Sequence, residues 1–492
     1  RMSGASRRAL LRFIAVDHSL PAFAALSARR LRRRFGRTET MGAERIIQVA
    51  VLWVHAVALI GRLRDRPLPG QTWDAIMPPG PPDGGGGGGE PIEHVRTRQL
   101  AAATEPLAQV VSADEPERVN LLVPTIELKH LFGGYIAKFN LARRLAERGM
   151  RVRIVTVDPT PPLPGSWREQ VEGYAGLEGL FDRVEVAFAR EEPLRVSPDD
   201  AFVATTWWTA RVAGDAVRPL RRSRFLYLIQ EFEPFTHPMG SMAAEAMSTY
   251  SLPHTALFST ELLRRYFAAR GYGVYASGAR QGKRDSVSFE NAITRAEPPP
   301  VEEMRARERR RVLFYARPEG HGSRNMFELG LLALRDAVAA GAIDESWGLY
   351  GIGAVGGSDR RLSLPRGRHL ELLAKRGQSD YGELLAAHDV GLALMYTPHP
   401  SLVPIEMASA GLVTVTNSFE TKTAAEMAAI SSNLITVEAN PRALAAGIEE
   451  AVARSGDFDA RRAGSAVRWS RDWDETFDEE LMERIAGLIE AT

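Results

Sequence analysis

Several residues in this chain have types and spacings suited to a phosphorylated ligand. Arg317 and Arg324, in YARPEGHGSRN, carry guanidinium forks that match phosphate oxygens. Lys375, in LLAKRGQSDY, adds a point charge. Gly133 and Gly134, in LFGGY, let backbone approach a ligand closely, and a helix beginning there would aim its free N–H groups at an anion. The stretch 398–411, PHPSLVPIEMASAG, passes from prolines and a serine into an apolar helical pattern with one carboxylate, Glu406. That acid is either a solvated first-turn residue or a ligand for a sugar or nucleotide. Glu231 and Glu233, in LIQEFEPF, follow a strand end and could face a cleft, or serve as helix caps and ion-pair partners. Each feature has a plainer reading as well: the two glycines fit a tight turn, and an arginine-rich chain has many surface arginines. Their shared position at strand ends favours a site.

Other chemistries are excluded or weak. There is no cysteine, which removes disulfides, thiol catalysis and thiolate metal ligands. The histidines (His130, His237, His254, His321 and His399 among them) show no metal-ligand spacing. No G-x-S-x-G or Walker A pattern occurs. YGIGAVGG holds Gly351-x-Gly353-x-x-Gly356, with Glu371 twenty residues after Gly351. A dinucleotide site needs a helix to start at those glycines. Here SDRRLSLPRG follows, so a glycine-rich loop over a cleft is the better reading. Trp207 and Trp208 read as core or cleft wall.

The elements that must position these residues alternate in type. From residue 118 onward, strands are expected at 118–125, 151–157, 183–188, 201–206, 224–229 and 255–259. Helical patterns fall between several of them, including 135–148, which Gly149 ends, 239–249 and 260–270. A polar, proline-rich connection spans 293–311. Alternation then resumes with strands 311–317, 347–353, 390–396, 412–416 and 433–437, and helices 325–340, 379–388, 404–410, 422–429 and 441–453. The tail 474–490 is amphipathic. The pattern predicts an α/β chain with two doubly wound, Rossmann-like domains, over 118–292 and 293–473, and a carboxy-terminal helix in 474–492. Ligands of such sheets bind beyond the carboxyl ends of the strands, so a ligand shared by two facing domains lies in the cleft between them.

Bulk composition agrees with a multidomain globular protein: 492 residues, 45% hydrophobic, 25% charged. A net charge of +1 gives the molecule no nucleic-acid-like basic balance. The charge is uneven, because residues 1–40 hold ten arginines against Asp17 and Glu39. Ile46–Ile60 is apolar but contains Gln48 and His55 and is shorter than the roughly 20 residues of a membrane span. Flanked by Arg45, Arg62 and Arg64, the 1–65 extension could lie on an anionic membrane surface, pack on the protein body or stay poorly ordered. Residues 66–117, with six consecutive glycines and a proline cluster, read as a linker.

Four quoted stretches now combine. VNLLVPTIELKHLFGGYIAKFNLARRLAERGMRVRIVT, FLYLIQEFEPF, FYARPE and YGELLAAHDVGLALMYTPHPSLVPIEMASAGLVTVTNSFETKT resemble the WsaF-type rhamnosyltransferases of glycosyltransferase family 4, which have the GT-B fold. The resemblance runs from about residue 118 to 470, in both domains and in order. It implies retaining, metal-independent transfer of a sugar from a nucleotide diphosphate, with dTDP-β-L-rhamnose as donor and no cofactor. The acceptor glycan would lie mainly against the first domain, near Glu231 and Glu233, and the donor mainly in the second. By matching motifs, Arg317 and Lys375 would neutralise the diphosphate and Glu406 would hold the ribose. His399, Ser401 and Leu402 at the helix start, with Arg324, Gly133 and Gly134, would complete the donor site.

One departure bears on specificity. Family 4 commonly carries Glu-x7-Glu, and eight residues before Glu406 stands Pro398. This fits the WsaF-type loop but leaves the sugar less determined. The expectation is therefore a cytoplasmic enzyme of surface-polysaccharide synthesis, peripheral to the membrane if its extension binds there. The alternatives are a family 4 transferase with another nucleotide sugar, and a non-catalytic GT-B protein that binds nucleotide sugar or glycan.

Overall fold

The computed structural model describes residues 92–127, 133–354, 360–374 and 378–492. The 1–65 extension, the glycine run, His130, Gly356 and Lys375 lie outside the described residues.

The first large sheet has seven strands: β1 (Val119–Val123), β2 (Val152–Thr156), β3 (Val184–Phe188), β4 (Ala201–Ala204), β5 (Phe225–Ile229), β6 (His254–Ser259) and β7 (Ser286–Phe289). Their spatial order is β3-β2-β1-β4-β5-β6-β7, and every pairing is parallel. The inner strands are buried on both faces, which explains why they read as unbroken apolar runs rather than alternating ones. Leu121 and Val123 pack toward one helical layer and Leu122 toward the other. One layer holds helix Gly133–Glu147; the other holds helices Trp207–Ala216 and Glu261–Arg270. Gly149, at φ 85°, closes the first of these helices, as its sequence position predicts.

The second sheet also has seven strands: β8 (Arg310–Tyr315), β9 (Trp347–Ile352), β10 (Arg360–Ser363), β11 (His369–Leu372), β12 (Val390–Leu392), β13 (Val413–Asn417) and β14 (Leu434–Val437). The order is β10-β11-β9-β8-β12-β13-β14, with β10 alone antiparallel, against β11. The β10–β11 pair was not foreseen in the sequence. It follows the glycine-rich loop, where a dinucleotide site would need a helix, so that reading fails on backbone grounds.

Both sheets reverse their winding beside their first strand, between β1 and β4 and between β8 and β12. A doubly wound sheet opens its ligand crevice at such a point. LFGGY follows β1, Arg317 follows β8, and PHPS follows β12.

One stretch differs from the sequence expectation, and a second receives a packing partner that the sequence did not specify. Within the segment read as a linker, Ile92–Thr104 is helical and Gln109–Val111 pairs in parallel with Leu194–Val196. Leu107 is buried in the first domain's core, so order begins before residue 118. At the other end, helix Glu479–Glu490 packs on the first domain rather than the second. Met482, Ile485, Leu488 and Ile489 join the core around β1 and β6, and Thr255 donates a hydrogen bond to the Leu488 carbonyl at 3.1 Å. Each of those four side chains contributes about 1.5–3 kcal/mol on burial.

Candidate functional site

The site is built where the carboxyl edges of the two sheets meet. Helix Leu402–Ser409 begins beyond β12, and its N-cap residue is Ser401, at φ 67° and ψ 139°. That backbone region is unfavourable for any residue with a Cβ. No side chain caps this helix start. The Ser401 N–H instead donates to His399 Nδ1 at 3.0 Å. Burial, with Lys422 and Arg324 nearby, lowers His399 to about 3, so the ring is neutral and carries its proton on Nε2. His399 thus braces the turn that aims the helix N-terminus into the cleft.

Opposite stands the start of helix Gly133–Glu147. A Cβ added to Gly133 would sit 3.6 Å from Leu402 Cδ1, so the two helix starts approach each other across the domain boundary. Gly134 gives its carbonyl to Gln230 Nε2 at 3.0 Å, and a Cβ there would press on the Gln230 amide at the same distance. Two positive helix ends facing one space suit an anion.

Arg317 leaves the end of β8 enclosed by glycine turns. A Cβ on Gly322 would come within 2.9 Å of its Cβ, and one on Gly353, at φ 110°, within 3.0 Å of its Cδ. Its Nη1 donates to Tyr315 Oη at 3.1 Å and its Nε to Glu319 at 3.4 Å. Glu406 is buried in the second turn of its helix rather than solvated in the first. It accepts the Thr294 N–H at 3.0 Å and also bonds the Thr294 and Tyr381 hydroxyls. Burial raises it, and the Thr294 N–H opposes that rise. Tyr381 lies beside Glu406, with Tyr315, the partner of Arg317, close to it. Glu406 is also tied to the connection between the domains, through Thr294.

Glu231 reaches across from the end of β5. Its Oε2 lies 3.6 Å from Arg324 Nε and 3.5 Å from Thr397 Oγ1, both in the second domain. Burial raises its carboxyl; Arg324 and, more weakly, Lys422 pull it down. Lys422 is fully buried and donates to the Met395 carbonyl at 2.5 Å. Burial lowers its amine to about 7 against the attraction of Glu231. Glu231, Arg324 and Lys422 therefore form one cluster beside His399.

Glu233 turns the other way, into the first domain. Its Oε2 accepts the Trp207 N–H at 2.8 Å, which caps helix Trp207–Ala216. Burial lifts it to about 7, and burial lowers its neighbour Lys138 to about 8. This geometry is the capping role, not that of a cleft-facing acid. Trp207 is a buried core residue, bonding His237 through its indole N–H at 3.0 Å.

Lys422 and Lys138 were missed in the sequence, although a signal was present. The chain has five lysines among 62 basic residues. A compact ammonium in so arginine-rich a chain marks places where a guanidinium does not fit. Among the described residues, no three histidine or acidic side chains converge as a metal site would require.

Known proteins share this architecture. The WsaF N-terminal domain matches residues 118–261 and the WsaF C-terminal domain residues 310–449. The O-antigen biosynthesis protein RfbC of Myxococcus xanthus is 28% identical over 396 residues, 78% of this chain. The chain spans 28% of that relative's length. Among solved structures, Anabaena Alr3699/HepE in complex with UDP-glucose aligns with a TM-score of 0.51 at 14% identity, over 77% of this chain and 100% of that one. At that identity the likeness speaks for the fold, which is GT-B. The two domain matches fall in order on the two sheets, together cover more than half of the sequence and contain the strand ends that build the cleft: the chain belongs to the WsaF family.

Proposed function

We propose that this protein is a glycosyltransferase of surface-polysaccharide synthesis that moves a sugar from a nucleotide diphosphate to a glycan. The observation that carries this reading is the approach of two helix starts across the cleft, near the Glu231–Arg324 pair. A departing diphosphate gathers negative charge as the sugar–oxygen bond breaks. Fixed N–H groups and cations stabilise that state more than the ground state. In this reading Arg317, with Lys375, faces the diphosphate, the Leu402 helix start holds its oxygens, and Glu406 exchanges a present partner for ribose hydroxyls. The name of the Myxococcus relative supports a polysaccharide product, and the UDP-glucose bound to HepE supports a nucleotide-sugar donor.

The resemblance to WsaF-type enzymes makes dTDP-β-L-rhamnose the first donor to test. It also favours retention of anomeric configuration, by front-face attack with a donor phosphate oxygen accepting the acceptor's proton. The sugar centre then passes through an oxocarbenium-like state, for which a nearby carboxylate such as Glu231 is the electrostatic complement. The test is a panel of nucleotide sugars with the purified protein, read as released nucleoside diphosphate. Release from dTDP-rhamnose above all others supports the full reading. Release from another donor keeps the transferase and replaces the sugar. Tight nucleotide binding without any release would favour a non-catalytic binder.

A further inference from the structure

From His388 to Ser401 every residue is buried except one, Tyr396. It is 51% exposed, the one exposed residue among the Phe, Trp and Tyr of the described residues. It stands one residue before Thr397, which contacts Glu231 in the candidate site. This aromatic ring, in a stretch that hides everything else, leaves a face open to a ligand beside the cleft.

The ring forms one wall of a depression of about 350 Å³, bounded also by Ser418, Phe419, Glu420, Glu438 and Asn440. That size falls in the range of small-ligand sites, about 300–1,000 Å³. Phe419 fixes the ring from behind, edge-on at 4.7 Å between centroids. The loop that carries Phe419 is built rigidly. Phe419 and Lys422 exchange backbone hydrogen bonds of 2.9 and 2.8 Å, and Glu420 turns the chain at φ 48°. Lys422 anchors the loop inward on the Met395 carbonyl, while Glu420 pairs outward with Arg270 of the first domain. Phe419 also packs edge-on to Phe235 of the first domain, at 5.7 Å.

We propose that this depression is an acceptor subsite that holds a neutral sugar unit of the glycan, one face of the sugar on Tyr396 and its hydroxyls on Glu438, Asn440 and Ser418. The chemistry selects this class. A sugar has an apolar face and a rim of hydroxyls, matching an aromatic platform with carboxylate and amide groups beside it. Glu420 is neutralised by Arg270, and the remaining acid, Glu438, disfavours phosphate, so the donor's diphosphate belongs with the cations near Arg317 and the sugar chain here. Because Glu420 and Phe419 both touch the first domain, the subsite is complete when the domains are together.

This inference rests on the glycosyltransferase reading, and its test separates the two. Full-length protein is titrated with dTDP, UDP and a panel of neutral trisaccharides of L-rhamnose, D-glucose, D-galactose and D-mannose, followed by saturation-transfer NMR and calorimetry. At least one trisaccharide is expected to bind. Tyr396→Ala should weaken it tenfold or more, and Tyr396→Phe should stay within about twofold, since the ring is kept. Both variants should bind nucleotide as the wild type does, which also reports that they are folded. Nucleotide binding with no trisaccharide bound, or an unchanged affinity in Tyr396→Ala, overturns the subsite and leaves the transferase reading intact. Failure to bind any nucleotide overturns the transferase reading itself.

Discussion

Glu406 is the residue whose role depends most on its surroundings. Its carboxylate is buried and accepts the Thr294 N–H, with Tyr381 beside it. Glu406→Gln keeps the shape but replaces an acceptor oxygen with a donor group. It should weaken nucleotide binding by about tenfold, the scale of one hydrogen bond to a charged group; calorimetry with dTDP reads this, and wild-type affinity would remove Glu406 from the donor site. A second acid reports on stability. Glu290 is buried, and its Oε1 accepts the Glu261 N–H at 3.1 Å. Burial lifts its carboxyl from the ordinary 4.5 to about 8. A folded value above the unfolded one gives stability that is complete below about 4.5 and lost as pH rises through about 8. Glu290→Gln keeps an oxygen for the Glu261 N–H and cannot ionise. Its stability should exceed the wild type's at pH 9, and the gap should close near pH 5, measured by urea unfolding; parallel profiles for the two proteins would contradict the shift.

The residues legible in the sequence were those at strand ends. Arg317, Arg324, His399 and Ser401 could be placed because a β-to-helix junction in a doubly wound sheet has one geometry. Glu231 reaches Arg324 and Thr397 of the second domain, whereas Glu233, two positions on, faces inward and caps a helix. Residues adjacent in a loop take opposite directions, and no periodicity states which. Lys422 was invisible to motif logic because its partner, Glu231, lies 191 positions away in the other domain.

At the scale of elements, both seven-stranded sheets could be read in outline, since buried parallel strands are unbroken apolar runs between turn residues. The β10–β11 pair could not, because its strands are four residues each and partly exposed. The docking of helix Glu479–Glu490 was equally hidden. Its amphipathic pattern specifies that one face is buried but not against which domain. The N-terminus of helix Leu402–Ser409 carries the clearest element-level prediction. Ser401 holds a backbone conformation suited to glycine. Ser401→Gly should stabilise the fold by about 1 kcal/mol, the lower end of the usual strain at such a position. Thermal unfolding would show a higher midpoint; a lower one would mean that the serine side chain holds the turn.

For the whole molecule, the relevant feature is the charge cluster that spans the domains. Glu231 from the first domain meets Arg324 and the buried Lys422 of the second in a partly buried setting. Removing one member of such a cluster strands the others, at a cost of about 3–5 kcal/mol, whereas replacing a pair together is often nearly neutral. At pH 6, Glu231→Gln or Lys422→Met alone should therefore destabilise more than the two combined. Strictly additive losses in urea unfolding would mean that the two charges do not sense each other. The same cluster sits beside His399 and the Leu402 helix start, so the domain contact and the proposed donor site share residues.

The central claim is that this cleft cleaves a nucleotide sugar. Its most direct test is release of nucleoside diphosphate from a donor panel by the purified full-length protein. Turnover of dTDP-β-L-rhamnose, reduced at least tenfold in Arg317→Ala, is the predicted result. No release from any donor with an acceptor glycan present, by protein shown to be folded, would contradict it.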